Sequence, residues 1–289
     1  MGISISNLIY TVLSLVVASF VLLFSIGWFV SLKSGSKNNE HDEELFKQPP
    51  PEEDCPICFL RIPTLKTGSR YQSCCGKEIC SGCIHAPVYD HQGNKVNNKK
   101  CPFCRVPTPS SEKAAIERYK KRVEANDPVA IHDIGVHYFT STNGYPQDYT
   151  KALELFQRAG KLGYANAYSS IGIAYFNGQG MEVDKKKAMH YFELAALGGC
   201  VQGRYSLGVY AGNVERALKH FMIAVRDGHA DSLKNIKELY SDGHATKEDY
   251  SKALQSYQTY LGEIKSRQRD EAAEFDNERY RYIISSYYC

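Results

Sequence analysis

The chain has 289 residues, with 35 Lys and Arg against 32 Asp and Glu and a net charge of +3. That length leaves room for about two domains plus extensions. A charge so close to balance does not imply a broad polyanion-binding surface, and no aromatic-basic platform of the kind that stacks bases occurs, so nucleic acid is not an expected partner.

From Leu8 to Val30 run 23 residues without a charge, rich in Leu, Val, Ile and Phe. As a helix this stretch rises about 34 Å and spans a bilayer core. Trp28 suits the interface near its end, Lys33 and Lys37 follow, and nothing basic precedes it. The positive flank puts the C-terminal side in the cytosol. A cleaved signal peptide is the competing reading, but there is no basic n-region, the apolar run is too long and no A-x-A site follows. Residues 1–33 are therefore expected to form a single-pass transmembrane anchor. Residues 34–54 carry seven acids against Lys37 and Lys47, with prolines at Pro49, Pro50 and Pro51. They read as a flexible acidic linker.

Eight of the ten cysteines follow within residues 55–104, as three C-x2-C pairs, Cys55/Cys58, Cys80/Cys83 and Cys101/Cys104, and the adjacent Cys74 and Cys75. Each C-x2-C pair puts two thiolates on one tight turn, the spacing of tetrahedral zinc, and eight sulfurs complete two four-cysteine sites. The segment between them is poor in large apolar residues and cannot fold on hydrophobicity alone. Metal must supply the core; structural zinc contributes on the order of 10 to 16 kcal/mol. A secreted scaffold of four disulfides is disfavoured, since such scaffolds seldom show repeated C-x2-C pairs. Adjacent ligands strain a tetrahedral site, so a set in which His85 or His91 replaces Cys74 or Cys75, and a single-zinc domain, stay open.

The residues Cys55-Pro-Ile-Cys58, Cys75-Gly-Lys-Glu-Ile-Cys80-Ser-Gly-Cys83 and Cys101-Pro-Phe-Cys104-Arg105 resemble a RING finger, over about a sixth of the chain. The resemblance implies a cross-brace: Cys55, Cys58, Cys80 and Cys83 around one zinc, Cys74, Cys75, Cys101 and Cys104 around the other. Lys77 stands where the commoner RING pattern has a histidine, so the all-cysteine variant is the better comparison. A RING supplies no nucleophile and no catalytic residue; it holds a ubiquitin-charged conjugating enzyme in a reactive posture. By resemblance Ile57 and Pro102 contact that enzyme, and Arg105 bridges enzyme and ubiquitin. Pro87 replaces the tryptophan that the family often has there, and interrupts the expected central helix.

After residues 55–106, Ser111 is a plausible N-cap for a helix through Ala115, Ile116, Tyr119 and Val123, within a connecting segment 107–126. Asn126-Asp127-Pro128 ends it. Lys151-Ala152, Lys187-Ala188, Arg216-Ala217 and Lys252-Ala253 then recur, followed in phase by Phe156, Phe192, Phe221 and Tyr257 and by Ala159, Ala195, Ala224 and Tyr260. Spacings of i, i+4 and i+7 make one buried helix face, and Gly163, Gly199 and Gly228 end each helix. Partner helices are marked by Ile134-Gly135, Ile171-Gly172, Leu207-Gly208 and a degenerate Ile236-Lys237. Two helices per unit make a hairpin solenoid over residues 127–264. The third copy has a short loop from Tyr210 to Val214 and predicts an abrupt hairpin.

The phrases Ile171 to Gly180 and Lys187 to Ala196 resemble Sel1-type repeats, relatives of the tetratricopeptide class, which implies an adaptor surface for a protein substrate or partner. The histidines are spread over different units, and no Ser/His/Asp set, phosphate loop or paired-carboxylate motif occurs. Cys200 reads as a small buried residue and Cys289 as a free terminal thiol. Residues 265–289 continue the last helix or cap the solenoid. The expected fold is mostly α: a transmembrane helix, a small zinc-bound RING-like domain and a helical solenoid. The expected function is a membrane-anchored RING-type ubiquitin ligase facing the cytosol; the alternative is a non-catalytic zinc-and-repeat scaffold.

Overall fold

The computed structural model describes residues 42–47, 49, 54–64, 68–87 and 100–275. Residues 42–45, in a unit that ends at Lys47, form one helical turn in which the Phe46 N–H donates to the Asp42 carbonyl at 3.0 Å. Among the described residues no helix is long and apolar enough to cross a membrane; the expected anchor at Leu8 to Val30 lies outside them.

The second unit, Gln48–Cys289, begins with the cysteine-rich segment. Strands β1 (Ser69–Gln72) and β2 (Lys77–Cys80) pair antiparallel, with Ser69 opposite Cys80 and Gln72 opposite Lys77, and α1 (Ser81–His85) follows directly. This short helix stops two residues before Pro87, whose ring cannot continue it. Helix α2 (Glu112–Glu124) starts on Ser111, whose Oγ accepts the Ala114 N–H at 3.2 Å.

Four antiparallel hairpins follow: α3 (Pro128–Thr140) with α4 (Tyr149–Lys161), α5 (Ala165–Asn177) with α6 (Lys185–Leu197), α7 (Val201–Val209) with α8 (Val214–Arg226), and α9 (Ala230–Ser241) with α10 (Lys247–Ile264). The second helix of every pair is capped by a side chain the chain supplies in phase: Asp148, Asp184, Asn213 and Thr246 each accept the backbone N–H three residues on, at 2.8 to 3.1 Å. In three of them the helix ends on a left-handed glycine, Gly163, Gly199 or Gly228, and the next residue donates back to the stripe alanine, Ala159, Ala195 or Ala224, at 2.8 to 3.1 Å. The third hairpin is abrupt as expected: α7 has nine residues and reaches α8 over residues 210–213.

The repeating Ile-Gly pairs have a packing cause. A Cβ on Gly135, Gly172 or Gly208 would stand 2.5 to 2.7 Å from a ring carbon of Phe156, Phe192 or Phe221, so each phenylalanine ring packs directly on bare backbone of the facing helix. The fourth unit departs on both sides of this contact: Lys237 replaces the glycine and the half-buried Tyr257 replaces the phenylalanine. The repeating lysines also have partners, Lys151 Nζ lying 4.3 Å from the Tyr138 ring centre and Lys187 Nζ 5.3 Å from that of Tyr175. Gly172→Ala is expected to destabilise the chain by about 1 to 3 kcal/mol through overpacking, lowering the urea midpoint without changing the slope. An unchanged midpoint would contradict the contact.

His229, almost fully buried at the start of α9, accepts the Ser232 N–H on Nδ1 at 3.2 Å and stacks on Tyr205 at 4.3 Å. Nδ1 must therefore be unprotonated, which leaves Nε2 to donate to Gln202 Oε1 at 3.3 Å. Burial lowers its pKa from 6.5 to about 4, with Asp231 pulling weakly the other way. Between those values the unfolded chain binds a proton that the folded chain refuses, so stability is complete above pH 6.5 and falls as pH drops towards 4, by about 3 kcal/mol at the lower limit. His229→Asn keeps a capping oxygen without the titration. Urea unfolding at pH 7 and pH 4.5 is expected to show a pH dependence about 2 kcal/mol smaller in the variant than in the wild type.

Candidate metal centres

The first and third C-x2-C pairs form two equivalent knuckles. In one, the Cys55 N–H donates to the Leu60 carbonyl and the Phe59 N–H to the Cys55 carbonyl, both at 2.9 Å; in the other, the Cys101 N–H donates to Val106 at 2.8 Å and the Arg105 N–H to Cys101 at 3.0 Å. The residue after each knuckle, Phe59 at φ 57° and Arg105 at φ 63°, turns through the left-handed region, which lets the chain double back and aim both sulfurs inward. Cys74 and Cys75 lie in the four-residue turn between β1 and β2, closed by Gly76 at φ +70°. Cys80 ends β2 and Cys83 lies within α1.

These elements gather the sulfurs into two sets, Cys55 with Cys58, Cys80 and Cys83, and Cys74 with Cys75, Cys101 and Cys104, all within 4.8 Å of one another in each. Tetrahedral zinc, with bonds of about 2.3 Å, needs sulfurs about 3.8 Å apart. Cys58 and Cys80 are 3.7 Å apart and Cys74 and Cys104 are 3.3 Å apart. Both adjacent cysteines belong to the second set, His85 belongs to neither, and His91 lies outside the described residues. The nine cysteines described are free thiols.

Crowding divides the protons unevenly. Hydrogen bonds from Cys80 and Cys83 hold Cys55 well below the ordinary thiol range, and hydrogen bonding to Cys55 and Cys80 pushes Cys83 up. Burial raises Cys74, and raises Cys75 to about 11. A cation among the sulfurs is what allows all four to ionise together, so the donor set fits a divalent metal. The apolar filling of this region says the same: among the described residues, the non-cysteine members of its buried core cluster are Ile62 and Ile79.

The centres are joined to both ends of the solenoid. At the first end, Tyr71 of β1 donates to Asp127 Oδ2 at 2.7 Å and Arg122 Nε donates to the same oxygen at 2.9 Å, while Asp127 Oδ1 caps α3 through Val129 and Ala130. Burial opposes the charge of Asp127, but the Tyr71 and Arg122 hydrogen bonds outweigh it and its pKa is lowered. At the far end Arg61 pairs with Asp227 at 3.0 Å and Glu263 at 2.8 Å, and the Thr64 N–H donates to Tyr260 Oη at 3.0 Å. Helix α11 (Arg267–Phe275) starts after a break at Lys265 and Ser266 rather than continuing α10; it packs on α1 and, through Ala273, on the Tyr260 and Ile264 end of the last hairpin, and Arg269 inserts beside Cys58. Asp127, Tyr260 and Arg269 carry no local pattern in the sequence that marks these roles.

The sequence-derived contact residues lie on the two knuckles. Ile57 is 36% exposed, Pro102 is half-buried and Arg105 is exposed. Beside them Phe59 is 77% exposed and Phe103 43% exposed, so the knuckle tips form apolar ground that the spacing of cysteines alone does not announce.

Residues 128–164, 165–200 and 238–258 match the family model described as Sel1 repeat, and the chain carries Sel1 repeats in a mostly helical, solenoid-like fold. It is 32% identical over 126 residues to the ERAD-associated E3 ubiquitin-protein ligase component HRD3B of Arabidopsis thaliana, covering 43% of this chain and 19% of that one. It is 33% identical over 70 residues to the E3 ubiquitin-protein ligase GW2 of Oryza sativa subsp. indica, covering 24% of this chain and 15% of that one. The chain thus spans under a fifth of the length of either relative. Among solved structures, the crystal structure of a Sel1 repeat protein from Oxalobacter formigenes is similar at 24% identity and a TM-score of 0.45, over 68% of this chain and 72% of that one.

Proposed function

We propose that this chain is a membrane-anchored RING-type E3 ubiquitin-protein ligase. The observation that carries the reading is the interleaving of two four-sulfur sets, Cys55, Cys58, Cys80 and Cys83 with Cys74, Cys75, Cys101 and Cys104. Zinc, when bound, supplies cross-links and takes no part in transfer. The chain's own work is positional: Ile57 and Pro102 offer apolar contact to a ubiquitin-charged conjugating enzyme, Phe59 and Phe103 widen that ground, and Arg105 reaches across to ubiquitin. The Sel1 repeats receive a protein substrate or adaptor, residues 8–30 anchor the chain, and the domains face the cytosol on the side of Lys33 and Lys37. Similarity to a ligase component and to ligases supports a place in ubiquitin transfer.

The early end of α1 at His85, ahead of Pro87, favours a second reading, a zinc-and-repeat scaffold without transfer activity, because it shortens the helix that walls the enzyme-docking ground. Autoubiquitination of the full chain in lipid discs, across a panel of conjugating enzymes, decides between them. Ubiquitin chains with at least one enzyme support the ligase. Their absence with every enzyme, from protein that has its metal, leaves the scaffold.

A further inference from the structure

The two cysteine sets differ in what surrounds their charge. Three of the four sulfurs in the first set belong to buried residues, against one in the second. Four thiolates on a divalent ion leave excess negative charge; water can screen it at the second set but hardly at the first. The countercharge there comes from the far end of the chain. Arg269 is fully buried, with Nη2 4.0 Å from Cys58 Sγ and 3.3 Å from the Leu60 carbonyl, and Nη1 2.8 Å from the Arg61 carbonyl and 2.6 Å from the Ile264 carbonyl. One planar fork thus ties the sulfur of the first knuckle, the two carbonyls that follow it and the end of α10 together. The approach is made possible by Gly82 in α1, between Cys80 and Cys83, where a Cβ would stand 2.8 to 2.9 Å from backbone atoms of Gln268 and Arg269.

We propose that Arg269 is a positioning residue of the first metal centre: it neutralises the thiolates of Cys55, Cys58, Cys80 and Cys83 and locks the end of the Sel1 solenoid to that centre, so that the repeats govern how firmly the metal is held. This rests on the proposal that both cysteine sets bind metal. Outer partners of this kind typically contribute roughly 10- to 100-fold to metal affinity.

The test is chelator challenge of the zinc-loaded full chain, with cysteine alkylation read site by site by mass spectrometry. In wild type the first set is expected to be released more slowly than the second. Arg269→Gln should speed alkylation of Cys55, Cys58, Cys80 and Cys83 by roughly 10- to 100-fold and leave Cys74, Cys75, Cys101 and Cys104 at the wild-type rate. Arg269→Lys should restore part of the loss, since it keeps the charge without the fork. Gly82→Ala, which displaces α11 and leaves Arg269 in the chain, should release the first set faster in the same selective way. Equal acceleration of both sets, or an unchanged first set in Arg269→Gln and Gly82→Ala, would overturn the assignment. Wild-type cysteines alkylated equally fast with and without zinc would instead overturn the metal reading beneath it.

Discussion

Removing metal with a strong chelator is expected to unfold residues 55–104 completely and to free α11, while the hairpins from α3 to α8 keep their helices. Structural zinc contributes on the order of 10 to 16 kcal/mol per site, about as much as a whole domain's net stability. Among the described residues of the segment, Ile62 and Ile79 are the principal non-cysteine core, too little to replace it. Two domains linked only through α2 would end the effect there. This chain spreads it, because Arg61, Thr64 and the α1 surface are the seats of Glu263, Tyr260 and α11. Hydrogen exchange should therefore lose protection over 55–104 and over 267–275 together. Helices around Phe156 and Phe192, whose packing involves none of these contacts, should stay protected. Protection that survives at 267–275 after the cysteines are stripped would contradict the shared fold.

Arg105→Ala is expected to cut ubiquitin discharge from a charged conjugating enzyme at least tenfold while leaving metal content and helicity unchanged. Arg105 is exposed on the second knuckle, outside both cysteine sets, and its backbone N–H rather than its side chain closes the turn. Alanine has the same Cβ penalty at φ 63°, so the turn is no more strained than before. Losing charge-assisted hydrogen bonds worth about 1.5 kcal/mol or more to the two partners is already about a tenfold loss in rate. Lysine should rescue poorly, since an ammonium lacks the fork that reaches two acceptors. Wild-type discharge by the alanine variant would remove Arg105 from the mechanism.

The cysteine sets and the repeat stripe were legible because each is a local pattern repeated in phase. C-x2-C spacing fixes two sulfurs to one turn wherever it falls. The Ile-Gly and Ala-aromatic phrases recur because the first three units solve the same contact, a phenylalanine ring against bare backbone. What joins the domains was not legible. Arg61 and Glu263 are 202 residues apart in sequence, Cys58 and Arg269 211 apart, and neither pair belongs to a periodic element. Helix α11 conceals its buried face most fully, since a face built on an arginine, Arg269, and a small residue, Ala272, reads in sequence as an exposed polar helix. Tyr260 misleads in another way. It keeps the phase of the stripe, but its hydroxyl accepts the Thr64 N–H of the cysteine-rich segment.

Native mass spectrometry of the full chain, released from detergent with its metal retained, tests the central claim most directly. Two zinc ions per chain, falling to one in Cys83→Ser and to one in Cys104→Ser, is the result that two four-cysteine centres require. A chain that carries a single zinc, or none with its cysteines oxidised in pairs, would contradict them.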